Sequence, residues 1–124
     1  MGLSSTKLRR ELRALEARRR TLLGRLTGTS ELAVGTVSWV DRKCGRAGCH
    51  CARGEGHRQM QFLFADADGV RRCKLVRKAD HVRLEDANQR YRAFREDLRQ
   101  LAAIQKREHE ILMALMEGRG LRYE

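Results

Sequence analysis

The feature that most restricts the fold of this 124-residue chain is one long helical pattern over residues 79–118. Its apolar residues follow heptad spacing and continue after a phase shift, with Asp80 near the start and Gly118 at the end. The predicted stripe contains Ala87, Tyr91, Phe94, Leu98, Leu101, Ile104, Ile111, Leu112 and Leu115. A helix this long extends beyond a small sheet, so part of its stripe requires a second helix, in this chain or in another copy.

A shorter amphipathic helix is predicted over residues 6–26, where leucines recur at spacings of three, four and seven. Its apolar residues are Leu8, Leu12, Leu15, Leu22 and Leu26. Ser5 or Thr6 is suited to cap its start, because a serine or threonine oxygen can accept from the first free backbone amides. We expect this helix to form an antiparallel hairpin with the long helix, and the protein to form a homodimer.

Residues 34–78 predict three short antiparallel strands. Alternating apolar residues begin over Val34–Val40 and resume over Met60–Phe64, and Asp68-Gly69 is typical of a two-residue hairpin turn. The chain then returns over Val70–Val76, with Cys73 on the predicted apolar face. The aromatic side chains that we expect in the core are Trp39, Phe62 and Phe64. The fold class is therefore α+β: an N-terminal helix, a three-stranded antiparallel sheet and a long C-terminal helix, in one domain of residues 1–124.

Between the first two strands, residues 44–57 hold three cysteines and two histidines within fourteen positions that are rich in glycine. Thiolate sulfur and imidazole nitrogen form a common four-coordinate set for Zn²⁺. The three predicted thiolate ligands are Cys44, Cys49 and Cys51. We rank His57 first as the fourth ligand, because two glycines before it allow a tight return of the chain. Cys73 and His50 remain alternatives.

Four protein ligands would close the zinc site to a catalytic water, so we expect a structural ion and no enzymatic activity. The spacing is not that of a standard zinc finger, which leaves reduced or redox-active thiols as the alternative. His81 and His109 lie on the long helix without an evident partner, and we interpret them as ordinary surface histidines.

The chain is strongly basic, with a formal net charge of +11. The net charges of residues 1–33, 34–79 and 80–124 are +5, +6 and zero, so a surface for polyanions belongs to the first two segments. The candidate contacts are Arg42, Lys43, Arg46, Arg53, Arg58, Arg72, Lys74, Arg9, Arg13 and Arg20. The alternative is a solvated cationic face that also balances three thiolates. Because the aromatic residues are expected in the core, the pattern favours double-stranded DNA over single strands. We also expect DNA rather than RNA as the partner.

The run from Arg42 to His57 resembles a family of small bacterial proteins with the pattern Cys-Gly-Lys-x-x-Cys-x-Cys followed by Gly-x-Gly-His and an aromatic strand. The resemblance implies motif positions at Cys44, Cys49, Cys51 and His57, and it does not include Cys73. It also implies genes that lie beside transposase genes on mobile elements. This chain departs from the family in the three residues after the histidine, Arg58-Gln59-Met60.

The function expected from these observations is that of a zinc-stabilised nucleic-acid-binding accessory protein, assisting a transposase or recombinase. One alternative is an adaptor that docks on a larger enzyme through its long helix, and another is a thiol-based redox sensor. Neither a membrane span nor a secretion signal is evident in the sequence, so we expect a cytoplasmic protein that does not bind membranes.

Overall fold

The computed structural model describes residues 4–43, 48, 54 and 56–123. The elements in chain order are α1 (Ser5–Leu26), β1 (Thr36–Arg42), β2 (His57–Ala65), β3 (Arg71–Leu75) and α2 (His81–Arg119), with a 3-10 turn at Lys78–Asp80. The predicted α+β architecture is confirmed, and both predicted helices agree with the observed bounds to within two residues.

Helix α1 is capped by Ser4, whose hydroxyl oxygen accepts from the Lys7 backbone N–H at 3.2 Å. The predicted caps, Ser5 and Thr6, are wrong because both lie inside the helix. A capping residue requires extended backbone angles, which Ser4 has with φ −62° and ψ 147°. The helix ends at Leu26, after which the Thr27 hydroxyl donates to the Leu23 carbonyl at 2.8 Å.

The three strands form one antiparallel sheet in the order β1-β2-β3, with β2 in the centre. The turn between β2 and β3 is longer than the predicted two-residue turn. Asp66 N–H donates to the Val70 carbonyl at 2.9 Å, which leaves a three-residue loop ending at Gly69 with φ +80°. The Asp66 carboxylate accepts from the backbone N–H groups of Asp68 and Val70, both at 3.0 Å.

This turn reverses the predicted faces of β3. Phe62 is paired with Lys74, and Leu63 is paired with Cys73. Directly paired residues in an antiparallel sheet share a face, and a shift of one residue moves every side chain to the other face. Cys73 therefore lies on the face opposite Phe62, where its side chain is exposed, and its predicted place on the apolar face is wrong.

The buried residues of α2 include two polar ones, Asn88 and Asp97, besides the apolar Ala87, Ile104 and Ile111. The predicted stripe is buried only in part. Leu98 and Leu112 belong to the predicted stripe, but they are exposed. Asn88 and Asp97 are about two and a half helical turns apart, so burial does not follow one continuous stripe along α2. From Asp97 onward the buried positions are Asp97, Ile104 and Ile111, at a spacing of seven, and Leu98 and Leu112 each lie one residue to the side.

The chain divides into two compact units, one of Met1–Thr29 with Ala93–Glu124 and one of Ser30–Arg92. In the first unit α1 packs antiparallel to the second part of α2, as predicted. Arg18 donates to Gln100 at 2.8 Å, and Arg25 donates to Asp97, nearer the start of α2. Leu8 and Leu22 of α1 are buried in this unit. The prediction of a single domain over residues 1–124 stays a prediction.

The second unit is built around Met60 at the centre of β2, which is fully buried. The segment before β1 is attached to α2 by backbone and side-chain bonds. Ala33 N–H donates to the Ala87 carbonyl at 3.1 Å. The Asn88 amide donates to the carbonyls of Ala33 and Gly35, at 3.1 and 2.9 Å.

Candidate metal and nucleic-acid site

The predicted metal loop is the connection between β1 and β2. Of its predicted ligands, Cys44, Cys49 and Cys51 lie outside the described residues, as does the alternative His50. The predicted cationic residues Arg46 and Arg53 lie outside them as well. The structure describes the two ends of the loop, where β1 and β2 meet.

At the base of the loop, Arg42 and His57 are directly paired across the two strands. Gly56 precedes His57 with φ +93°, a conformation that residues with side chains rarely adopt. A Cβ atom on Gly56 would lie 2.6 Å from the carbonyl carbon of Arg42 and 2.9 Å from the backbone nitrogen of Lys43. The sequence therefore needs glycine here, because the returning chain passes directly against the outgoing one.

His57 is half-buried and lies on the same face of the sheet as Arg42 and Gln59. The side-chain oxygen Oε1 of Gln59 is buried and accepts no hydrogen bond in the part of the chain that the structure describes. An unsatisfied buried oxygen is uncommon in folded proteins. The base of the loop thus presents the His57 imidazole and, two residues along the strand, a buried acceptor for which the described residues supply no donor.

Cys73, the alternative fourth ligand, is far from this base. It is paired with Leu63, which lies six residues beyond His57 on β2. At about 3.4 Å per residue, this separation is about 20 Å along the strand. The thiol donates to the side-chain oxygen of Gln61 at 3.4 Å. No group of three histidine, cysteine, aspartate or glutamate residues that could hold a metal occurs among the described residues.

The predicted cationic contacts on the sheet differ in their surroundings. Arg42, Lys43 and Lys74 are exposed. The Arg58 guanidinium lies over the Trp39 ring, 5.3 Å from its centroid, which is typical of a cation–π contact. Arg72 forms an ion pair with Asp66 at 2.9 Å, and this pairing, with the backbone N–H bonds of Val70 and Asp68, lowers the pKa of Asp66.

On α1, Arg9 and Arg13 are exposed and form no ion pair with the described residues, whereas Arg20 pairs with Glu16 at 3.4 Å. Two other arginines of this helix hold the first unit together. Arg19 pairs with Glu108 at 3.2 Å, and Arg25 pairs with the buried Asp97. The hydrogen bonds that Arg25 donates to the Asp97 carboxylate raise the pKa of Arg25. Some arginines of α1 thus bind carboxylates of α2 and stabilise the helical hairpin.

Trp39 is 39% exposed, so its predicted place in the core is wrong. Its ring contacts His81 edge to face at a centroid distance of 5.1 Å, and His81 Nε2 lies 3.1 Å from the Val76 carbonyl oxygen. His81 is half-buried, which corrects its interpretation as an ordinary surface histidine, whereas His109 is exposed as predicted. The tertiary pairing of α2 with the end of β3 has no signal in a single sequence.

Phe62 and Phe64 are stacked on each other at 5.2 Å and are only partly buried. They line an open groove in the second unit, with a volume of about 560 Å³. Lys74, Arg77 and Arg83 lie along the groove. The two phenylalanines therefore contribute to a surface as well as to the core that was predicted for them.

Comparison with protein-family models, with curated protein sequences and with solved structures gives no match for this chain. The resemblance drawn from the cysteine motif stays a prediction. Within the described residues, neither α1 nor α2 is long and apolar enough to cross a membrane.

Proposed function

We propose that this chain is a zinc-stabilised, basic nucleic-acid-binding accessory protein of the cytoplasm, without catalytic activity of its own. The observation that carries the proposal is the cationic end of the sheet. Arg42, Lys43 and Arg58 lie where β1 ends and β2 begins, and the loop between these strands carries Arg46 and Arg53 in its sequence. A transposase or recombinase as the assisted enzyme follows from the motif resemblance alone.

The donor residues in the sequence of the loop fit a structural zinc ion by their chemistry. Cys44, Cys49, Cys51 and His57 would supply three thiolates and one imidazole, a donor set that suits Zn²⁺. A histidine that binds zinc keeps one ring N–H, and this N–H usually donates to a nearby acceptor. The buried Gln59 Oε1, on the same face of the sheet as His57, is such an acceptor. Because Cys73 lies far from the loop, His57 is favoured over Cys73 as the fourth ligand. The bound ion would order the loop and its cations.

Cations on a rigid loop are suited to a phosphate backbone. Arginine and lysine release counterions when they neutralise phosphates, and a side chain that is already ordered loses less entropy on binding. The Trp39 ring is covered by Arg58 in this protein, so its π-face is used internally rather than offered to an unpaired base. This arrangement supports binding to duplex DNA through the backbone, with little sequence specificity.

The test is fluorescence anisotropy of a labelled 20-base-pair duplex with the full chain over a series of salt concentrations. We expect affinity to fall steeply as salt rises. Arg42→Gln should reduce the slope of log K against log salt by about one, which is the contribution of one phosphate contact. Arg71→Gln is the matched control: it removes the same charge from the same face of the sheet, at the opposite end.

Absence of binding at low salt, or affinity that does not respond to salt, would overturn the proposal. An equal effect of Arg71→Gln and Arg42→Gln would show that the cationic loop end is not the contact surface. Tighter binding to an RNA hairpin or to single-stranded DNA of equal length would contradict the preference for duplex DNA. A stoichiometric protein partner that survives nuclease treatment, together with no DNA binding, would instead favour the adaptor.

A further inference from the structure

Helix α2 carries a second line of residues that its own chain leaves exposed. This outer stripe consists of Leu98, Ala102, Gln105, His109, Leu112 and Met116. Spacings of four and three place all six on one side of the helix, adjacent to the side that packs on α1. Leu98, Leu112 and Met116 are 46%, 54% and 56% exposed. Large apolar side chains that recur on one helical face usually pack against another helix.

The outer stripe is self-complementary when it is read in opposite directions. Around a midpoint at residue 107, Leu98 corresponds to Met116, Ala102 to Leu112, and Gln105 to His109. Leu98 would pack on Met116, and the small Ala102 would pack on the large Leu112. The Gln105 amide and the His109 imidazole can form a hydrogen bond with each other. A two-fold interface requires this property, because each patch meets its own copy.

The charges beside the outer stripe follow nearly the same two-fold relation, with a midpoint at residue 108. Arg99 and Lys106 lie along one flank, and so do Glu110 and Glu117. With the axis at residue 107 of an antiparallel pair of α2 helices, Arg99 lies about 3 Å along the helix from the level of Glu117 of the second copy. Lys106 lies equally close to the level of Glu110 of the second copy. Within one chain, Arg99 and Glu117 are about 27 Å apart along the helix axis, so they can attract each other only across an antiparallel dimer.

We propose that two copies of this chain associate through the outer stripe, with their α2 helices antiparallel and the two-fold axis close to residue 107. The groove beside α1 that is lined by Leu12, Gln105 and His109 then faces the dimer. The outer stripe would then be the interface of the homodimer that the length of α2 predicts. It does not depend on zinc or on nucleic acid.

The first test measures the dimer dissociation constant of the full chain by sedimentation equilibrium, with circular dichroism to verify helix content. Leu112→Asp should weaken the dimer at least about tenfold, because it places a charge in the apolar part of the interface. The matched control is Val82→Asp on the same helix, outside the outer stripe, where Val82 is 71% exposed. A monomer at all concentrations up to about 100 μM, or equal effects of the two variants, would overturn the proposal.

The second test examines the antiparallel register with a charge exchange. Arg99→Glu alone and Glu117→Lys alone should each weaken the dimer several-fold, and the variant with both substitutions should recover most of the affinity. Recovery is expected only where residue 99 meets residue 117 of the other copy. A double variant that dimerises no better than the weaker single variant would exclude this register.

Discussion

Gly56 lies directly against the backbone of Arg42, so that a Cβ atom on Gly56 would stand 2.6 Å from the Arg42 carbonyl carbon and 2.7 Å from its oxygen. We expect Gly56→Ala to lower the free energy of unfolding by about 1–3 kcal/mol from its left-handed backbone alone, and the close contact adds to this. The same change should weaken zinc binding, because it separates the two ends of the loop. Urea denaturation followed by fluorescence of Trp39, the single tryptophan, measures the first effect.

Gly54→Ala is the control for this prediction. A Cβ atom on Gly54 meets none of the described residues within 4 Å, and the φ of Gly54 lies outside the left-handed region. We expect little change in stability. Equal effects of the two substitutions would show that the loop does not depend on the close approach at Gly56.

Native mass spectrometry of freshly prepared protein distinguishes the candidate ligands. We expect one zinc ion per chain, lost in Cys49→Ser and bound at least about tenfold more weakly in His57→Ala, because removal of a ligand leaves an incomplete coordination shell. Cys73→Ser should retain the ion, since Cys73 is paired with Leu63, far along the strand from His57. Loss of zinc in Cys73→Ser with retention in His57→Ala would reverse the ligand assignment, and metal-free wild-type protein would contradict the zinc site.

Periodicity was sufficient to predict both helices, the antiparallel sheet and the helical hairpin. Each depends on a local pattern of apolar residues, and the long helix α2 has no proline to interrupt it. The face of β3 was not predictable in this way. Two-residue and three-residue turns share the same Asp-Gly signal at Asp68 and Gly69, and the choice between them moves Cys73 from one face of the sheet to the other.

The candidate site was predictable only in part, for a related reason. The cysteine motif lies in a continuous run of sequence, and so does His57. The contact of the Trp39 ring with His81, and the burial of Asn88, depend on how α2 packs beside the sheet. The burial of a polar helix residue such as Asn88 has no sequence signal, because the Ala33 and Gly35 carbonyls to which Asn88 donates belong to the backbone of another segment.

The pH dependence of stability should include a contribution from the β2–β3 turn. Arg72, followed by the backbone N–H groups of Val70 and Asp68, holds the pKa of Asp66 below its ordinary value of 3.8. A carboxyl group whose pKa is lower in the folded state stabilises the fold above its unfolded pKa, and this stability is lost as the pH falls. We therefore expect wild-type protein to exceed Asp66→Asn in stability at pH 7, with the difference shrinking below about pH 4.

Urea denaturation at a series of pH values checks this prediction, with Asp68→Asn as a control that makes the same charge change in the same turn. Within the described part of the chain, Asp68 forms no ion pair like that of Asp66 with Arg72. A difference between wild-type protein and Asp66→Asn that stays constant from pH 7 to pH 3 would show that the Asp66 carboxylate contributes through packing and not through its charge.

The buried amide of Asn88 should be the most sensitive polar group in the second unit. Its two N–H groups donate to the carbonyls of Ala33 and Gly35, and the side chain is almost fully buried. Asn88→Ala leaves two acceptors without donors, so we expect the free energy of unfolding to fall by about 1–3 kcal/mol. Gln89→Ala, at the exposed neighbouring position, should change it by less than about 0.5 kcal/mol. Because Trp39 belongs to the same unit, its fluorescence in urea reports this loss directly, and equal midpoints for Asn88→Ala and wild-type protein would show that the two bonds contribute nothing to stability.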